Sequence, residues 1–134
     1  MREILFKAKR VDDREWVVGQ YVNTCYPGKD KETGHFIVVY PNEYHEVYTS
    51  TLCQFTGLCD KNGKRIWEND ILMAHLDESY PEDAAYETVE WNVAGWVAHE
   101  TGSTDREYID KFDLEHYEVV GNIFDNPELL QEVK

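Results

Sequence analysis

The chain has 134 residues, with 13 Lys and Arg against 27 Asp and Glu, for a formal charge of −14. Hydrophobic residues make up 42% and aromatics 13%, which excludes a disordered tail and supplies the core of one ordinary domain. So strong a negative charge disfavours nucleic acid and anionic membrane surfaces and admits a basic protein partner, and no apolar run nears the ~20 residues of a membrane span.

The opening stretch Arg2 to Lys7 alternates charge too early for a secretory signal, which predicts a cytoplasmic protein. Ile4, Phe6 and Ala8 alternate with Leu5, Lys7 and Lys9, the period of a half-buried strand. A polar turn at Val11 to Arg14 leads into a second strand over Trp16 to Val22. Gly19 in that strand marks a bulge or a close backbone approach. Cys25 to Thr33, with Pro27 and Gly28, reads as loop, and His35 to Tyr40 is a β-branched and aromatic strand. Pro41 ends it. Tyr44 to Thr49 reads as a short strand, with a helical turn starting at Pro41 as the competing reading. Tyr40, Tyr44 and Tyr48 recur every four residues and are read as partial core or, failing that, an interaction surface.

Asn62-Gly63 predicts a two-residue type I′ hairpin turn, in which both residues take positive φ. Gln54 to Leu58 precedes it and Arg65 to Trp67 follows. A strand over Ile71 to His75 comes next, then an acidic loop from Leu76 to Ala85. Tyr86 to Trp91 and Gly95 to His99 form a hairpin through Asn92 to Ala94, and Tyr117 to Ile123 is the last strand. The stretch around Tyr108, Ile109, Phe112 and Leu114 shows no regular period. A short C-terminal helix is expected, capped by Asp125 or Asn126, with Pro127 in its first turn and Leu129, Leu130 and Val133 on its apolar side. Many short strands with turns between them point to an all-β barrel or sandwich.

The three cysteines, Cys25, Cys53 and Cys59, are an odd number without CxxC spacing and read as free thiols. The histidines are scattered, so neither zinc nor any other metal or cofactor is expected. Glu43 with Glu46, and Asp77 with Glu82, are the carboxylate pairs nearest to a cation site, but neither has the residue order of a calcium loop. None of Ser50, Ser79 and Ser103 sits in a nucleophile elbow. No catalytic residue is assigned, and the chain is not expected to be an enzyme.

Two stretches resemble the YopX family of bacteriophage and prophage proteins. The first runs from Gln54 to Ile71 and contains Thr56, Gly57, Asp60, Asn62, Gly63, Glu68 and Asp70. Asn69 in that run stands where the family usually has Gly, a replacement that suits a left-handed turn position. The second runs from Gly121 to Leu130 and contains Asn122, Asn126 and Pro127. The opening Arg2 to Ala8 fits as well, so the resemblance covers residues 1–134 as a single YopX-like domain. It implies a mostly β fold similar to a small, partly open SH3-like barrel with additional hairpins, in a cytoplasmic protein of phage or prophage. It implies no catalytic residues.

Most of the first stretch is read as architecture: Asp60 and Asp70 bond nearby backbone N–H groups, Gly57 and Asn69 fill turns, and Phe55, Leu58, Ile66, Trp67 and Ile71 alternate into a core. The competing reading makes Gln54, Thr56, Glu68 and Asp70 a polar binding surface. The leading functional expectation is a non-catalytic accessory protein that contacts a host or phage protein or a second copy of itself. The alternative is an acidic DNA mimic that blocks a host DNA-binding or defence protein. A third, weaker reading is a nucleic-acid-binding barrel using Lys61, Lys64 and Arg65.

Overall fold

The computed structural model describes residues 4–26, 32–74, 85–100, 103, 106–110 and 113–130. The chain forms two compact units, Met1–Phe55 and Thr56–Lys134. Strands are antiparallel, and the structure is mostly β.

The first unit contains β1 (Phe6–Lys9), β2 (Trp16–Cys25), β3 (Thr33–Val39) and β4 (Glu43–Glu46) in the order β4-β3-β2-β1, with the start of β5 (Cys53–Cys59) next to β1. Each of the first three connections joins neighbours, so the unit is built from successive hairpins. Register fixes the faces: Ala8 opposes Val17, and Tyr21 opposes Ile37. Ala8, Ile37 and Val47 are buried together, with Phe6, Val17, Tyr21 and Leu52 packed around them. Gly19 stays in register opposite Phe6 and makes the close approach, to the carbonyl of Val38, so the expected bulge is absent there. The residues after Pro41 form the strand β4 rather than a helical turn.

The second unit holds the rest of β5 with its neighbour β6 (Arg65–Trp67). It also holds a five-stranded sheet in the order β10-β9-β8-β7-β11. These strands are β7 (Asp70–Ala74), β8 (Ala85–Asn92), β9 (Gly95–Glu100), β10 (Glu107–Tyr108) and β11 (Tyr117–Asn122). Leu72, Ala74, Val89, Trp96, Ala98, Tyr117 and Val119 pack with Ile66 into its core, against which Leu58, Ile109 and Leu114 lean.

Two fold expectations, the partly open SH3-like barrel and the C-terminal helix, are met only in coarser form. Among the described residues no sheet closes into a barrel. In the first unit the bridge of Arg10 to Val47 joins the end of β1 to the end of β4, but a barrel needs a continuous ladder all round. The C-terminal helix is, over Pro127–Leu130, one 3-10 turn. Asn126 does not cap an α-helix there, because its side chain turns back to accept the N–H of Asn122 at 3.2 Å. Val133 lies outside the described residues, as do the Pro27-Gly28 loop and the acidic segment with Asp77 and Glu82.

Candidate functional site

The two signature stretches meet in the second unit. β7 and β11 are neighbours, with Asp70 opposite Asn122 and Ile71 opposite Gly121. Asp60 ties the loop between β5 and β6 to the same place. Its Oδ1 accepts the N–H groups of Asn62 and Lys64, each at 2.9 Å, and its Oδ2 accepts that of Val119 at 2.9 Å. Lys61 N–H donates to the carbonyl of Tyr117 at 3.1 Å. The carboxylate therefore stands where another strand would pair with β11. Burial alone would raise the Asp60 carboxyl, but the donors on Val119, Lys64 and Asn62 outweigh it and hold the group below the ordinary carboxylate value.

That arrangement changes the turn. Asn62 is not among the residues with positive φ, while Gly63 sits at φ 80°. The loop is the three-residue Lys61-Asn62-Gly63, closed by Gly63 N–H to the Asp60 carbonyl at 3.0 Å and by Asp60 N–H to the Lys64 carbonyl at 2.8 Å. A two-residue turn would not let the Asp60 carboxylate collect the amides of both Asn62 and Lys64. Gly57 also differs from expectation. It lies inside β5 at φ 86°, and Thr56 braces this kink by accepting the Leu58 N–H at 3.1 Å and donating to the Ile66 carbonyl at 2.7 Å. Asn69 takes φ 70°, the left-handed turn position expected of it.

The polar surface proposed for this region does not form. Thr56 and Asp70 are buried, and Asp70 Oδ2 accepts the Trp67 N–H at 2.8 Å. Gln54 and Glu68 are half-buried, and Gln54 pairs with Phe6 in the first unit. In the second stretch, Asn122 Oδ1 accepts the N–H groups of Phe124 and Asp125, each at 2.9 Å. The Asn126 side chain lies over Gly121 so closely that a Cβ there would collide with it. Pro127 opens the 3-10 turn. Phe55, Ile66, Trp67 and Ile71 are buried as expected and Leu58 is half-buried, but Ile66 and Trp67 are buried in succession rather than by alternation. Lys61, Lys64 and Arg65 stand exposed on and beside the loop.

The tyrosines behave differently. Tyr40 is 92% exposed, Tyr44 52% and Tyr48 37%, so they form surface rather than core. Period two along β4 and its continuation places Tyr44, Glu46 and Tyr48 on one face. Tyr44 packs edge-on to Phe36 with centroids 6.2 Å apart, and Arg14 lies over the Tyr48 ring at 5.7 Å. Beside them is a cleft of 180 Å³ lined by Arg10, Val11, Asp12, Tyr44, His45 and Glu46. Arg10 is held by Asp13, with Nε donating to Oδ1 at 2.9 Å. Glu43 approaches His45 Nε2 at 3.3 Å, while the Tyr26 hydroxyl donates to Glu46 and is pushed up by that bond and by burial. Glu43 and Glu46 are thus engaged separately rather than sharing one site.

One cluster escaped the sequence reading. A cleft of 220 Å³ in the second unit is lined by Glu87, Glu100, Ser103 and Glu107 together with alanines. Burial raises the Glu87 carboxyl, and Glu100, Glu107 and Asp113 raise it further, against a hydrogen bond from the Tyr117 hydroxyl. The turn is the two-residue Val93-Ala94 and sets Glu87 opposite Glu100, whereas the expected turn from Asn92 to Ala94 would have set His99 there and hidden the pair. Charge is also uneven. Residues 1–55 carry 7 basic and 8 acidic side chains, and residues 56–134 carry 6 and 19.

Among the described residues no three His, Cys, Asp or Glu side chains gather as metal ligands, and no helix is long and apolar enough to cross a membrane. Cys25 and Cys59 are exposed and Cys53 is buried, and none of the three is in a disulfide.

Comparison with known proteins agrees with this architecture. The chain is similar over 98% of its length to protein EF1440 from Enterococcus faecalis, a crystal structure covered in full, at 23% identity and a TM-score of 0.54. That likeness concerns the fold alone. No curated protein matches the chain. The model of the YopX protein family matches residues 5–131, in which both signature stretches lie, and the chain is therefore a member of the YopX family.

Proposed function

We propose that this chain is a non-catalytic phage or prophage accessory protein of the bacterial cytoplasm that acts by contact with another protein. The observation that carries this reading is the exposure of Tyr40, Tyr44 and Tyr48 on the first unit. Tyrosine combines a large apolar ring with a polar tip, and contact surfaces are enriched in it. A triple variant, Tyr40→Ala with Tyr44→Ala and Tyr48→Ala, is expected to keep its fold and lose the proteins that the parent chain captures from lysogenic host lysate. Equal capture by parent and variant removes the tyrosines from the reading.

The charge distribution favours a second reading, an acidic competitor for a basic, DNA-binding host protein. Acidic side chains outnumber basic ones by 19 to 6 in residues 56–134, which concentrates the field on one unit. Competition with duplex DNA for such a protein, weakening steeply between 50 and 200 mM salt as counterion release demands, is the expected result. Salt-independent binding or no competition excludes it.

A further inference from the structure

We propose that the edge of β4 beside Tyr44 is a docking slot for an extended, cationic peptide segment of a partner protein, which adds there as a short strand. The proposal deepens the tyrosine-surface reading and rests on it.

The ladder between β3 and β4 decides which backbone groups face outward. Val47 N–H donates to the carbonyl of His35 at 3.0 Å, and the register sets those two residues opposite each other. Antiparallel pairing alternates, so Ile37 with His45 and Val39 with Glu43 are the next hydrogen-bonded pairs. The backbone groups of Tyr44 and Glu46 point the other way, to the outer edge. There the end of β1 pairs with part of that edge. Tyr48 N–H donates to the Lys9 carbonyl at 2.9 Å, and Val11 N–H donates to the Glu46 carbonyl at 2.9 Å.

The pairing stops at that point. The chain turns over Val11 to Asp13, closed by Arg14 N–H to the Arg10 carbonyl at 2.9 Å, and Arg14 takes φ 61°. Asp13 would otherwise stand opposite Tyr44. In its place lies the 180 Å³ cleft lined by Arg10, Val11, Asp12, Tyr44, His45 and Glu46. An edge that presents backbone groups next to an open cleft is a template for strand addition.

The border selects the charge of the incoming segment. Asp13 already binds Arg10, so that cation is spoken for. The Arg10–Asp13 pair cancels, and Asp12, 79% exposed and 3.9 Å from Arg10, together with Glu43, 64% exposed beside His45, and Glu46 leaves the rim with more carboxylates than the one remaining cation, Arg14. Tyr44 and Tyr48 lie four residues apart on one face, about 14 Å of extended strand, and with Arg14 already over Tyr48 it is the exposed Tyr44 ring that offers stacking surface to a Lys or Arg stem. Backbone pairing supplies the direction of the guest, and the carboxylates supply its preference for basic residues.

The test uses the full chain, labelled with ¹⁵N, and three capped hexapeptides: alternating Lys and Val, the same with Glu in place of Lys, and the Lys form with alternate backbone nitrogens methylated. The Lys peptide is expected to slow exchange of the Tyr44 amide at least tenfold. Methylation is expected to weaken binding at least tenfold, and the Glu peptide is expected not to bind. A double variant, Asp12→Lys with Glu43→Lys, leaves the buried residues untouched and should reverse the preference between the Lys and Glu peptides. Unchanged Tyr44 exchange, equal binding of the methylated peptide, or an unreversed preference overturns the slot. If the slot fails in this way while the triple tyrosine variant still loses its captured partner, the tyrosine-surface reading survives alone. If the tyrosine variant keeps its partner, that reading falls whatever the peptides do.

Discussion

The first unit is nearly neutral, is assembled from consecutive hairpins and leaves Tyr40, Tyr44 and Tyr48 in solvent. The second holds most of the negative charge, buries Thr56, Asp60 and Asp70 and joins strands far apart in the chain. The contrast separates two meanings of a recognisable motif. The stretch around Asp60 is recognisable because many backbone groups depend on it, while the exposed tyrosines lie in a part of the chain with weaker sequence marks. A motif that is rich in Asp, Asn and Gly can be wholly occupied with its own turns.

The contrast is sharpest at Asp60. Replacement by Ala leaves the amides of Asn62, Lys64 and Val119 without their acceptor, and urea unfolding is expected to show a loss of about 3 kcal/mol. A loss under about 1 kcal/mol would mean that water replaces the carboxylate and that the joint is not structural. Next in size is Gly121→Ala, whose new methyl meets the Asn126 side chain, at a cost of about 2 kcal/mol. Pairing it with Asn126→Gly removes the collision, so a double-mutant cycle should give less than the sum of the single losses.

Acidity gives a smaller and signed effect. Because folding raises the Glu87 carboxyl, the charged form costs stability above that raised value, and the cost fades as pH falls towards the ordinary carboxylate value. Glu87→Gln should therefore raise Tm at pH 7 and lose that advantage on acidification. Asp60 has the opposite sign: its folded value is lowered, so its contribution is present above the ordinary value and lost as pH falls through the lowered one. Thermal melts of the two variants across pH 3 to 8 should diverge in slope, and parallel curves would refute the assignment. The smallest effect belongs to Tyr40→Ala in the first unit, which is expected to change stability by less than about 0.5 kcal/mol, because the ring is 92% exposed.

Sequence reading found nearly every strand in both units, because local alternation and turn residues mark them. It reached the right residue and the wrong geometry at Asn62-Gly63. The competing acceptor is Asp60, two residues before Asn62, and its third donor, Val119, lies 59 residues away. Nothing local announces such a partner. Asp70 takes the backbone-bonding role read for it, while the competing surface reading of Thr56 and Asp70 fails for the same reason: polarity is visible in a sequence, but burial with satisfied hydrogen bonds is not. The spacing of Tyr40, Tyr44 and Tyr48 fits a helix as well as a strand, and the register of β3 with β4 decides between them. Barrel closure was illegible because it depends on whether edge strands meet, which no single segment encodes.

The bond from Val119 to Asp60 also bears on how the chain is born. β11 follows every other strand, so a chain emerging from the ribosome exposes the Asp60 loop long before its last donor exists. The first four strands pair through successive hairpins and can do so as they appear, with β5 joining β1 soon after. Maturation of the nascent protein is thus staged. Its acidic half waits for the final strand, and the negative charge it carries in the interval helps to keep that unfinished half from sticking to its neighbours.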